Sequence, residues 1–426
     1  MKLRKVLSLI LVLSFIIFLN LGGLNAAEKV KITLLSTKGE INAALEGVAK
    51  DFSKDYPNIS LEIIPVGVGQ SPFEKLSTMY ASGNAPTLAM IDVNDVPKFK
   101  ENFLDLSNEE WVKDAVKGAL NDITFDKKVM AFPFTIEGYG LIYNQQAIEK
   151  VIGKFDPKTI DTRNKLEALF KKLEEKGLTP IVVSPLDWSL GAHFLTIGYV
   201  TQSSDPKKID KFIEDLKAGK IDLSKNRKMN GLLDTLDMWK KYNYLKRSPL
   251  AGTYEQGAQL LATGKVAFWF MGNWAWPLIK EVNPNNVQYG FLPVFVSNIP
   301  NDYGNREIPV GVTKVIGIDM KQNSREQQEA ARTFLNWLVY NKNGQNAWVN
   351  KLSVITPFKN VKLTPNDPLA KSIFEYMNQG RTLRFLVTLP PDHWPTVGAS
   401  MQKYLANVIS REQLFKEITD YWRKVK

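Results

Sequence analysis

The chain has 426 residues, of which 55 are Lys or Arg and 44 are Asp or Glu, so its formal net charge is +11. It has no cysteine and only two histidines, which argues against disulfides, zinc sites and Cys-His or Ser-His nucleophiles. The basic residues are interspersed with acidic ones, as in residues 171–176, which is typical of a solvated helix face rather than of a nucleic-acid-binding surface.

Residues 1–26 are predicted to be a secretory signal peptide. Lysines and an arginine give a basic start, residues 6–19 are almost wholly apolar, and small residues lead to Ala26. The alternative, an anchor helix, would need about 20 apolar residues. Because no cysteine is present to carry a lipid, we expect a mature protein in the periplasm or outside the cell.

Strand and helix patterns alternate in the next segment. The predicted strands are 29–35, 59–66 and 87–92, and the predicted helices between them are 40–56 and 73–82. This βαβ series predicts a parallel sheet with its ligand site at the carboxyl ends of the strands. Asp92, Asn94 and Asp95 come at the end of the third strand and are therefore candidate ligand-binding residues.

A carboxylate and two glycines precede the next strand. After a predicted helix at 111–120, Glu137 is followed by Gly138 and Gly140, which give the backbone freedom. Glu137 could be a general acid, a ligand for hydroxyl groups or a partner in a salt bridge. A glycosidase would need a second carboxylate at a defined separation, with Asp92, Asp187 and Asp392 as the candidates.

Alternation continues to the end of the chain and predicts α/β architecture. A helix that ends at Gly264 leads into an apolar strand at 265–271 and a loop with Trp274 and Trp276. The other predicted helices are 164–176, 206–218, 228–242, 324–341 and 395–426, the other strands are 180–184, 287–296 and 308–318, and a loop is predicted at 378–391.

Four tryptophans lie in or beside loops rich in Gly, Pro or Asp: Trp188, Trp274, Trp276 and Trp394. A sugar ring has an apolar C–H face and a rim of hydroxyls, so its site needs flat aromatic faces beside carboxylates, amides and a Lys or Arg. The alternative for each is a place in the core. Five others are assigned to the core: Trp111, Trp269, Trp337, Trp348 and Trp422.

Several segments resemble those of the extracytoplasmic sugar-binding proteins of ABC importers, specifically the maltodextrin-binding type, and they occur along this chain in the same order as in the family. Residues 264–268 and 272–276 resemble the family's Gly-Lys/Glu-x-Ala-Met strand and the Gly-x-Trp loop after it. Residues 82–86, 132–144 and 287–290 resemble further family segments, so that the resemblance covers essentially the whole mature chain.

The chain departs from this pattern in three places. Thr87 replaces an Asp, Lys127 replaces the glycine of an Asp-Gly turn, and the lipid-bearing cysteine of many members is absent.

The resemblance implies an α/β fold of the periplasmic-binding-protein type. This fold is a two-lobed clamp, each lobe a mixed sheet flanked by helices, with hinge crossings expected near Gly138, Val296 and Asn343. The expected first lobe is 27–138 plus 297–343, and the expected second lobe is 139–296 plus 344–426.

The resemblance also implies a monomeric, non-enzymatic receptor without a cofactor, which delivers a captured sugar, expected to be an oligosaccharide, to membrane permease subunits. Trp274 and Tyr254 match stacking aromatics, and Glu137 matches an acid that binds sugar hydroxyls. The resemblance further implies Lys38, Trp188, Trp394 and Asn94 or Asp95 as ligand-binding residues, and Asp92 is added from its position at the end of the third strand. Trp276 is either a second platform or a support.

Two rivals remain at this point. The same clamp could bind a polyamine, an organic anion or iron, or the chain could be a secreted carbohydrate-active enzyme. The tryptophan-rich loops favour a sugar receptor.

Overall fold

The computed structural model describes residues 29–66 and 71–425, so the predicted signal peptide lies outside the described residues. The strands are β1 Val30–Ser36, β2 Ile59–Pro65, β3 Leu88–Asp92, β4 Thr124–Phe125, β5 Lys128–Val129, β6 Phe132–Asn144, β7 Thr179–Val182, β8 Val266–Gly272, β9 Tyr289–Leu292, β10 Ile308–Ile318 and β11 Thr382–Arg384.

Helices surround these strands. They are Asn42–Asp55, Pro72–Ala81, Val96–Phe99, Gln145–Ile152, Arg163–Glu175, Leu195–Val200, Pro206–Lys217, Arg227–Tyr242, Tyr254–Ala262, Trp276–Val282, Arg325–Tyr340, Lys342–Asn346, Pro368–Asn378, His393–Leu405 and Arg411–Lys424. None of the helices in the described ranges is both long and apolar enough to cross a membrane.

In the described part of the chain, nine strands form one mixed sheet. Its main order is β2-β1-β3-β10-β6-β8-β7, with β11 beside β10 and β9 beside β6. β1 is parallel to β2 and β3, as the βαβ pattern predicts, whereas β10 runs antiparallel to both β3 and β6. β4 and β5 form a separate hairpin.

The long strand β6 connects the two parts of this sheet. Its first part, up to Gly138, pairs with β10, whereas residues from Tyr139 onward pair with β8 and β9. The change of partners therefore falls at the glycine near which the sequence predicts a crossing.

Three hydrophobic clusters stabilise the fold. One surrounds β1, β2 and β3 and includes Phe52, Trp111 and Trp337. The other two include Phe268 and Trp269, successive residues of β8 whose side chains point to opposite faces of the sheet. We call the part built around the first cluster the first lobe, and the part built around the other two the second lobe.

Two segments pack differently from the predicted division. Residues 347–361 contribute Trp348 and Phe358 to the first-lobe core, although the sequence prediction assigned them to the second lobe. Residues 297–307 precede β10 on the second-lobe side, where Tyr303 packs against that core and Asp302 pairs with Lys228.

Two local predictions are wrong. Residues 111–120 are not one helix, because a short 3-10 turn ends at Asp114 and Gly118 adopts φ +88°, a left-handed conformation that ends a helix. The predicted loop at 378–391 contains β11, which pairs with β10.

Candidate functional site

A cleft of about 720 Å³ is lined by residues of both lobes. Nine of the ten residues predicted to bind ligand line it: Lys38, Asp92, Asn94, Asp95, Glu137, Trp188, Tyr254, Trp274 and Trp394. The segments at the ends of β1 and β3, together with Glu137 inside β6, supply the polar residues, while loops and helix starts of the second lobe supply the aromatic ones. The cleft therefore combines charged groups with aromatic rings.

Trp276 is the exception. It begins the helix Trp276–Val282, is 4% exposed, and packs against Tyr289 with a ring-centroid distance of 5.9 Å. It does not line the cleft. Its helical position turns the indole into the second-lobe core, which favours Trp276 as a support over Trp276 as a second platform.

Three second-lobe aromatics form a connected wall. The ring centroid of Trp188 lies 6.4 Å from that of Trp274 and 6.1 Å from that of Tyr254. Tyr254 begins a helix capped by Thr253, whose hydroxyl oxygen accepts a hydrogen bond from the Gln256 N–H. This cap fixes the place where the helix begins and so places Tyr254 at the cleft.

Gly272, the last residue of β8, allows Trp274 to lie close to the backbone. A Cβ atom added at Gly272 would come within 2.0 Å of the Trp274 ring. The glycine of the Gly-x-Trp segment is thus required by packing, because any side chain there would displace the indole. His193 packs on Trp274 at a centroid distance of 5.0 Å.

A buried ion pair joins Lys38, which follows β1, to Glu137 of β6. Lys38 Nζ is 2.5 Å from Glu137 Oε1 and 2.7 Å from Glu40 Oε1, and the Thr313 hydroxyl donates to Glu137 Oε2. Burial alone would lower the pKa of Lys38, but the two carboxylates outweigh it and raise that pKa. Burial likewise opposes the charge on Glu137, yet Lys38 and Thr313 hold the pKa of Glu137 below its ordinary value.

The end of β3 supplies a second charged group. Asp92 pairs with Lys314 of β10 at 2.7 Å, whereas Asp95 is 7% exposed and the one hydrogen bond of its side chain within the described part of the chain is a long one from the Asn94 amide, at 3.4 Å. Burial, with a further contribution from the charge of Asp92, raises the pKa of Asp95 to about 6. Asp95 is thus a carboxyl group that titrates near neutral pH.

Three buried polar atoms at the cleft have no hydrogen-bond partner among the described residues. They are the Thr37 hydroxyl, the Tyr254 hydroxyl and His393 Nδ1. Buried polar atoms are normally paired, so each is suited to a polar group of a ligand.

Sequence reasoning missed several residues of the cleft. Thr313 and Lys314 belong to a β10 segment whose facing partners depend on sheet register, and His193 was set aside because histidines are few. Burial lowers the pKa of His193 to about 4, so it is neutral at pH 7. Residues 385–391 fall in the predicted loop, although most of them are apolar.

The sequence of this chain is similar to those of extracellular binding proteins. The sequence profile described as bacterial extracellular solute-binding protein matches residues 47–372. An uncharacterized ABC transporter extracellular-binding protein of Pyrococcus horikoshii is 25% identical over 359 residues, which are 81% of this chain and 75% of that protein.

Two solved structures show the same fold. The SBP RafE in complex with raffinose has a TM-score of 0.76 at 20% identity, with 93% of this chain and 99% of that chain covered. A chitin oligosaccharide binding protein has a TM-score of 0.73 at 20% identity, with 93% and 98% covered. The predicted two-lobed α/β architecture is thereby confirmed.

Proposed function

The chain belongs to the bacterial extracellular solute-binding proteins, and from this premise we propose that it captures an oligosaccharide between its lobes and delivers it to the permease of an ABC importer. The observation on which the proposal rests is the aromatic wall of Trp188, Trp274 and Tyr254 in one cleft with the polar residues of the first lobe. The aromatic faces suit the C–H faces of sugar rings, and the polar groups suit their hydroxyls.

The charges of the cleft support an uncharged ligand. Lys38, Lys98 and Lys314 line it together with Glu40, Asp92, Asp95 and Glu137. Most of these charges are already paired within the protein. A polyamine or an organic anion would need a large excess of charges of the opposite sign, and the cleft has no such excess.

The state of Glu137 argues against its use as the general acid of a glycosidase. A general acid must hold a proton near neutral pH, which requires a raised pKa. The pKa of Glu137 is lowered instead, and both of its oxygens already have partners in Lys38 and Thr313. We infer that Glu137 positions Lys38 and presents its remaining acceptor capacity to sugar hydroxyls.

The proposed clamp has three crossings between the lobes. On the packing of the cores, we place them at Gly138, in β10 near Val310, and between Val361 and Leu369, rather than at the predicted Val296 and Asn343. A ligand that touches both lobes binds the closed form more tightly and therefore shifts the protein toward it. Export by the predicted signal peptide would place this monomeric receptor outside the cytoplasm.

A thermal-shift screen over mono- and oligosaccharides, amines and organic anions tests the proposal. A sugar present at 100 times its Kd should add about 2.7 kcal/mol to the free energy of unfolding and raise the Tm accordingly. Shifts with amines or anions and none with sugars would overturn the ligand class. Analysis of the sugar after incubation tests the enzyme alternative, because product formation contradicts a receptor.

Trp274→Ala locates the site by calorimetry with the sugar found in that screen. We expect the variant to lose about 1 to 3 kcal/mol of binding free energy, the scale for one large aromatic contact. Tyr244→Ala is the matched control, because Tyr244 is 42% exposed and does not line the cleft. A folded Trp274→Ala protein with the affinity of the control would remove Trp274 from the proposed site.

A further inference from the structure

One stretch of the cleft wall is apolar. It consists of Leu386, Val387, Leu389, Pro390 and Pro391, which we call the apolar rim, and all five line the cleft. None of the five side chains can donate or accept a hydrogen bond, and the two prolines also lack a backbone N–H.

Some of the backbone groups of the rim are already bonded within the protein. The N–H of Val387 donates to the Phe385 carbonyl at 3.1 Å, and the carbonyl of Pro390 accepts from the His393 N–H at 2.9 Å. The rim therefore offers a ligand apolar surface and few hydrogen-bonding groups.

The rim is continuous with the sugar site and touches both lobes. Phe385, which immediately precedes it, lies 5.6 Å by ring centroids from His193, which packs on Trp274. Val387 packs against the first-lobe core and Leu389 against the second-lobe core. The first lobe contributes Phe73, another apolar side chain, to the same cleft.

An unsubstituted sugar fits this rim poorly. Each hydroxyl buried there without a partner would cost about 1 to 3 kcal/mol. An apolar group would instead gain about 25 cal/mol for each Å² that it buries. The aromatic wall and the apolar rim together therefore favour a ligand that carries both a sugar and an apolar group.

On the basis of the proposed function, we propose that the ligand is a glycoside with an apolar substituent, whose sugar lies at the aromatic wall and whose substituent lies on the apolar rim. The rim is then the part of the site that selects the substituted ligand over the free sugar.

Calorimetry with matched pairs of methyl and phenyl glycosides of glucose, galactose and N-acetylglucosamine, in both anomers, tests this inference. In at least one pair the phenyl glycoside should bind about tenfold more tightly or better, which corresponds to partial burial of the ring. Leu389→Asn should bring the ratio of the two Kd values of that pair close to one. Val408→Asn is the control, since Val408 is apolar, 71% exposed and outside the cleft, and should keep the ratio.

Pro391→Asn is a second variant at an exposed position of the rim and is expected to lower the same ratio, which protects the test against misfolding of Leu389→Asn. If no phenyl glycoside binds more tightly than its methyl partner, or if both variants keep the ratio, the rim has no such role. Free oligosaccharides in the same assay separate this outcome from failure of the proposed function: their binding upholds the sugar receptor, and its absence contradicts it.

Discussion

Lys38→Met should destabilise the first lobe through the charge that it leaves behind. Lys38 and Glu137 are 5% and 6% exposed, and their charged atoms are 2.5 Å apart. At an effective dielectric constant of about 20 their attraction is about 7 kcal/mol, most of which offsets the desolvation of the two ions. Removal of the cation alone leaves a buried carboxylate, for which we expect a loss of about 3 to 5 kcal/mol in the free energy of unfolding.

Urea unfolding followed by tryptophan fluorescence measures this loss. The double variant Lys38→Met/Glu137→Gln has no uncompensated charge at Glu137 and should be clearly more stable than the single variant. In the wild type the pKa of Glu137 is lowered, so its contribution is present at pH 7 and decreases as the pH falls. In Lys38→Met burial should raise that pKa, so the deficit should shrink between pH 7 and pH 5. A loss below about 1 kcal/mol, or a deficit independent of pH, would refute this reasoning.

Three further predictions concern stability, each measured by urea unfolding. Lys127 has φ +66° in the β4-β5 turn, so Lys127→Gly should stabilise the protein by about 0.5 to 1 kcal/mol. A loss of stability would contradict the backbone strain at Lys127. Gly47→Ala adds a methyl group in open space within a helix and should stabilise the protein by about 0.5 to 1 kcal/mol. Gly231→Ala would instead place Cβ 1.8 Å from the Val296 carbonyl oxygen and should destabilise it by about 1 to 3 kcal/mol. Equal effects of the two substitutions would contradict the close packing at Gly231. The pKa of Asp95 is raised to about 6, so its carboxyl group should contribute stability on the order of 3 kcal/mol that is lost as the pH rises from 4 to 7. The stability of the wild type relative to Asp95→Asn should therefore fall by about this amount over the same range; a difference that does not change with pH contradicts it.

The local elements of the fold were largely predictable from the sequence. Gly83, Gly177 and Gly264 follow helices with φ between +68° and +84°, as glycines at helix ends predict. The buried strand and the aromatic turn after it also follow from an apolar run that Gly272 ends. Each of these features depends on neighbours within a few residues.

Which side chains meet in the cleft depends on contacts between distant parts of the chain. Thr313 meets Glu137 at a bulge in β10, where the register against β6 shifts, and no local pattern specifies such a shift. Trp274 and Trp276 have nearly the same sequence context, yet the turn Asn273–Ala275 directs one indole to the cleft while the helix after it buries the other. Two residues of separation decide which face each indole occupies.

The geometry of the crossing in β6 indicates why a long ligand would be selected. Gly138 marks the change of sheet partners, and its N–H donates to Asn273 Oδ1 at 3.0 Å, so Glu137 and Trp274 are both anchored within a residue of that point. Asp92, in contrast, lies in β3, two strands from β6 or about 10 Å across the sheet. In the proposed clamp, rotation about Gly138 moves a group in proportion to its distance from this point. Contacts near Glu137 and Trp274 therefore change less between open and closed forms than contacts farther away, and a ligand that also reaches the end of β3 gains more affinity on closure than one confined to these two residues.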